Sequence, residues 1–140
     1  MRTILLAASL LLPFGAPALA DTLHYHADLT GAMEVPPTNS PGTGTLDLMV
    51  DTTAKSAEYT LTWSGLESPA TSAHIHGPAP AGQNAGVEVG FGNDPVSPVH
   101  GTAPMTDTQI KDLQNGLFYV NVHNKEHPKG AIRGQLGLVK

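Results

Sequence analysis

Cysteine is absent from this chain, so disulfides, thiol chemistry and thiolate metal ligation are all closed to it. Aromatic residues make up only 5% and charged residues 14% of its 140 positions. Cations are scarcest: seven Lys and Arg stand against twelve Asp and Glu, a formal net charge of −5 with the histidines neutral. No basic stripe exists to meet phosphates, which excludes a nucleic-acid partner. Gly90-Phe91-Gly92 is too short to cradle a phosphate and opens no helix. Ser64, Ser68, Ser72 and Ser97 sit in no nucleophile elbow.

Long apolar runs are also missing beyond the amino-terminal segment. There Arg2, the run Ile4 to Leu12, then Pro13, Gly15 and Ala18-Leu19-Ala20 follow the layout of a cleavable secretory signal over residues 1–20. The apolar stretch is too short for a confident membrane span. The expected mature chain, residues 21–140, has the size of one domain, carries no membrane span and loses one cation with Arg2. A periplasmic or secreted location follows, and a domain without disulfides there must rest on its apolar core.

What the chain has is short alternating segments set between clusters of its 15 Gly and 12 Pro, the pattern of an antiparallel all-β fold. Strands are expected over residues 23–30, 43–51, 57–64, 71–76, 117–123 and 131–139, with a hairpin loop over 51–55. Gly77 to Pro104 reads as a long irregular loop, broken by a short strand around Val87, Val89 and Phe91. One helix is expected over 106–115: Thr106 and Gln109 form a capping box, Ile110 and Leu113 a small apolar face, and Gly116 a stop.

The chain also has seven histidines, four of them in the H-x-H pairs His24/His26 and His74/His76, with His123 in a third strand segment. Side chains two apart on a strand share a face at about 7 Å, a spacing that a transition metal can bridge. If each strand's apolar set faces inward, all five histidines point outward, and neighbouring strands would bring them together. The plainer alternative is a set of solvated polar residues on a β-surface. Around this set, Met33 offers a thioether suited to Cu(I), His100 sits in the long loop, and His127 falls in the expected final hairpin turn. Glu34, before Val35-Pro36-Pro37, is expected to fix its turn by hydrogen bonds.

Three blocks carry a family resemblance: Gly31-Ala32-Met33-Glu34-Val35-Pro36-Pro37; Ala73-His74-Ile75-His76-Gly77-Pro78-Ala79; and Gly116 to His123 running into Pro128 to Leu136. In this order they resemble the signatures of the CHRD domain, named after chordin, over nearly the whole of residues 21–140. The resemblance implies a β-sandwich found singly in secreted bacterial proteins and repeated in chordin. Met33 stands where that pattern usually has Gln, and His24 and His26 also depart from it. The His-x-His strand and the later Val-Asn-Val-His strand are similar to the copper site of Cu/Zn superoxide dismutase, a Greek-key barrel. By position, His74, His76 and His123 would match copper ligands, and Arg133 loosely the substrate-guiding arginine. That family's zinc loop and disulfide have no counterpart here.

The expected protein is therefore an all-β, Greek-key antiparallel sandwich or barrel of about seven to eight strands with one short helix. It binds copper, as Cu(I) or Cu(II), through His74, His76 and His123, with His24, His26 and Met33 enlarging the site; zinc is the alternative ion. Its role would be copper storage, delivery or tolerance, the second of these with a copper-handling partner protein. A copper-dependent dismutase-like enzyme and a metal-free adhesion module are the rival readings.

Overall fold

The computed structural model describes residues 22–140, and the signal segment expected over residues 1–20 lies outside them. The described residues form nine strands: β1 Thr22–Thr30, β2 Thr43–Asp51, β3 Ser56–Ser64, β4 Ala70–His76, β5 Val87–Asn93, β6 Val99–Pro104, β7 Tyr119–Asn124, β8 Ile132–Gln135 and β9 Gly137–Leu138. A single 3-10 turn, Gly31–Met33, follows β1, and one helix, α1 Asp107–Gln114, precedes β7.

Local chemistry sets these boundaries. Asp51 Oδ1 accepts from the backbone N–H of Thr53 and Ala54, at 2.9 and 2.7 Å, which turns β2 back onto β3. The Thr106 hydroxyl accepts from Gln109 N–H at 3.1 Å while Gln109 Oε1 accepts from Thr106 N–H at 2.8 Å, the reciprocal cap expected of α1. Gly116 then takes φ +72, the left-handed value that ends a helix.

All pairings are antiparallel, and the strands run β5-β4-β7-β8-β1-β2-β3-β6, with β9 added to β1. The links from β3 to β4 and from β6 to β7 cross between the two halves, as a Greek-key arrangement requires. The sheet curls until its ends nearly meet. Tyr59 of β3 crosses Gly101 of β6, where a Cβ would collide with the ring, and meets Phe91 of β5 edge to face at 4.7 Å.

The expected alternation holds in β1, β2, β4 and β7, while Leu138, expected on the core face of the last strand, is exposed. Tyr25, Ala27 and Leu29 of β1, Leu46, Leu48 and Val50 of β2, and Ala73 and Ile75 of β4 all face one buried core with Val120, Val122, Ile132 and Leu136. Each large aliphatic side chain so buried stabilises the fold by about 1.5–3 kcal/mol. Two expectations change. The loop over 77–104 contains β6 as well as β5; the Pro- and Gly-bearing segment VHGTAP reads as loop, yet an edge strand paired only with β3 tolerates both residues. The last strand divides at Leu136, so that β8 pairs with β7 and β9 turns to β1. Among the described residues no helix is long and apolar enough to cross a membrane.

Candidate metal centre

The outer face of β4, β7 and β8 carries a polar layer rather than an apolar one. His74 and His76 come from β4, Tyr119, Asn121 and His123 from β7, and Arg133 and Gln135 from β8, all out of phase with the core residues. These side chains point away from the core as expected, but several are not solvated. His76 and His123 are each 9% exposed, Asn121 3% and Arg133 1%, because the segments over 77–86 and 125–131 fold back over them.

Register brings three histidines together. His74 faces Asn121, Ser72 faces His123 and His76 faces Tyr119, so His74 and His123 meet on a diagonal of the β4–β7 ladder. His74 Nδ1 lies 3.1 Å from His123 Nε2. One ring nitrogen from each of His74, His76 and His123 lies within 4.8 Å of the other two, a group able to hold a metal ion. Two imidazole nitrogens bound at about 2.0 Å to one tetrahedral ion stand about 3.3 Å apart, so the 3.1 Å separation is already that of a ligand pair.

A backbone carbonyl selects the free nitrogen of His123. His123 Nδ1–H donates to Pro128 O at 3.1 Å, which leaves Nε2 of that neutral ring with its lone pair. His123 Nε2 then accepts from His74 Nδ1–H. His76 stands between two acceptors, Ala85 O 3.1 Å from Nδ1 and Asn121 Oδ1 2.9 Å from Nε2, and its neutral ring donates to one of them, so an ion bound at Nε2 takes the place of the Asn121 contact. Burial holds the His74 imidazole below its ordinary pKa, and the neighbouring His123 and His76 reinforce this. Burial likewise lowers His123, against a rise from the Pro128 carbonyl. Neutral imidazoles are what a metal requires.

The rest of the layer fixes His76. Its ring stacks on Tyr119, with centroids 4.8 Å apart and planes 4° from parallel. The Tyr119 hydroxyl accepts from Ala85 N–H at 3.0 Å, and Arg133 holds the same segment through Asn84 Oδ1 and Gln83 O at 2.9 and 2.6 Å. Glu34, 5% exposed, reaches under the layer beside Asn121 and Gly130. Burial pushes its carboxyl up to about 7, with Arg133 and an Asn121 hydrogen bond opposing the rise.

The other candidates lie elsewhere. β7 and β8 separate β1 from β4, roughly 14 Å along the sheet at ~4.8 Å per strand, so His24 and His26 do not join the triad. They flank Asp47 instead. Met33, 46% exposed, borders a shallow depression with His26, Asp28 and Gln135. His100 pairs with Thr60 on β3, and His127 with Glu67. Tyr119 and Asn121 were legible as outward residues of the Tyr119-Val120-Asn121-Val122-His123 alternation, whereas the Ala85 and Pro128 carbonyls have no sequence signal.

The family model of the CHRD domain matches residues 25–136. No curated protein and no solved structure matches significantly.

Proposed function

The chain belongs to the CHRD domain family, and from that premise we propose that it is a periplasmic or secreted copper-binding protein that holds its ion at His74, His76 and His123. The observation that carries this reading is the 3.1 Å approach of His74 Nδ1 to His123 Nε2, with the far nitrogen of His123 tied to a backbone carbonyl. Three imidazoles suit copper and zinc alike, and among divalent ions Cu(II) binds such nitrogen sets most tightly.

Three protein ligands leave a further coordination position, and half-buried His74 lies on the side nearest solvent. An ion held this way can be passed on, which favours delivery or tolerance over sealed storage and calls for a copper-handling partner. Dismutation is not favoured. The residue at the position of a guiding arginine, Arg133, is buried under the 83–84 segment and engaged with it.

Titration of the purified protein with Cu(I), Cu(II) and Zn(II), followed by calorimetry and native mass spectrometry, tests the reading. His123→Ala is expected to remove one equivalent of copper, with Cu(II) displacing Zn(II) in the wild type. Copper stoichiometry unchanged in that variant would sink the proposal, and a wild type that binds no metal would leave the metal-free module.

A further inference from the structure

The outer face of the other half of the sheet carries a second set of metal-type ligands. In the β1–β2 ladder His26 is the register partner of Asp47 and His24 that of Met49. All four alternate with core residues and so stand on the same outer surface. Both imidazoles converge on one carboxylate oxygen: His24 Nε2 lies 2.8 Å and His26 Nδ1 2.9 Å from Asp47 Oδ1. For bonds of about 2.0 Å, ligand atoms around one ion are separated by roughly 2.8–3.3 Å, and both approaches to Asp47 Oδ1 already fall in that range. In the metal-free protein the two N–H protons occupy the space between these atoms.

We infer that His24, His26 and Asp47 form a second metal site, separate from the buried triad, that takes a divalent transition-metal ion such as Cu(II) or Zn(II). The ion takes the place of the two bridging protons, which shift to His24 Nδ1 and to His26 Nε2 beside Asp28 Oδ1, and binds His24 Nε2, His26 Nδ1 and the Asp47 carboxylate. Met49, 39% exposed beside His24, offers a thioether at the rim. The side chains of His24, His26 and Asp47 are 38%, 36% and 46% exposed, so the ion enters without any segment moving. Asp28, 3.3 Å from His26 Nε2, and Glu58, the register partner of Met49, add negative charge that attracts cations. The hydrogen bonds to His26 and His24 keep Asp47 below the usual carboxylate range, so the anionic ligand is ready at neutral pH.

The test titrates Cu(II) alone and Zn(II) alone into the full chain and counts bound ions by native mass spectrometry. The wild type is expected to bind two equivalents. His24→Ala combined with His26→Ala loses one, and His74→Ala combined with His123→Ala keeps the one at Asp47. If the triad binds nothing, the wild type holds a single equivalent that the first pair of substitutions removes and the second leaves, which upholds this site while overturning the proposed function. Should the variants fold poorly, Zn(II) titration of the wild type followed by NMR is expected to shift the His24 and His26 ring signals. Unchanged stoichiometry in the first pair, or unmoved His24 and His26 signals at saturation, would overturn the inference.

Discussion

The guanidinium of Arg133 lies 3.4 Å from the centroid of the Tyr119 ring. His76 stacks on the same ring, and its β4 strand and the β8 strand of Arg133 flank β7 on opposite sides. A cation, a phenol and a candidate metal ligand are thereby packed in one row beneath the 83–85 segment. The row ties the orientation of His76 to interactions that touch no metal.

The Tyr119 hydroxyl is the point at which that tie can be cut alone. Tyr119→Phe keeps the stack on His76 but frees Ala85, whose carbonyl orients the imidazole. Copper affinity at the triad is expected to fall at least about tenfold with stoichiometry unchanged, and stability by about 1 kcal/mol. Competition titration and thermal unfolding measure the two. An affinity equal to wild type would mean that Ala85 does not govern His76.

Stability should depend on pH in two opposing ways. Glu34, pushed up to about 7 from its ordinary 4.5, holds its proton more tightly folded than unfolded, so its contribution falls as pH rises from about 4.5 to about 7. His74 and His123 are held below their ordinary 6.5, so theirs is lost as pH falls below 6.5. Glu34→Gln removes the first effect. The variant is expected to melt above wild type at pH 8, by at most about 3 kcal/mol in stability, and to converge with it near pH 4. Melting curves that stay parallel from pH 4 to pH 8 would refute the assignment.

Gly130 is the one place where a single methyl group tests the packing under the site. Its φ is +132, and a Cβ would meet Glu34 Oε1 at 2.3 Å and Asn121 Nδ2 at 2.8 Å. Gly130→Ala is expected to cost about 2–4 kcal/mol, from backbone strain together with displacement of the buried carboxyl. Denaturant unfolding measures it, and a loss below about 0.5 kcal/mol would show that Glu34 moves aside freely.

The copper-loaded protein is expected to dismute superoxide no more than marginally faster than simple copper complexes. A net charge of −5 repels the anion, and Arg133 is engaged below the surface. Stopped-flow assay with superoxide decides the matter. A rate near the diffusion limit that His123→Ala abolishes would make the protein an enzyme.

Much of this molecule was written in local pattern. Alternation along Tyr25-His26-Ala27, Leu46-Asp47-Leu48 and Ala73-His74-Ile75-His76 assigned faces correctly, since period two follows from strand geometry alone. The Thr106 and Gln109 box marked the helix for the same reason: its partners lie three residues apart. β6 was hidden, because pairing with β3 and not composition makes Val99–Pro104 a strand. Which histidines meet was a matter of tertiary structure. Both H-x-H pairs look alike along the chain, but strand order sets β4 beside β7 and β1 beside β2, so His74 and His76 find His123 while His24 and His26 find Asp47. Burial of the triad was decided at the same level, since outward on a strand means solvent only until the loops that follow, here those of Ala85 and Pro128, fold back over the face, the Pro128 carbonyl leaving Nε2 of His123 free.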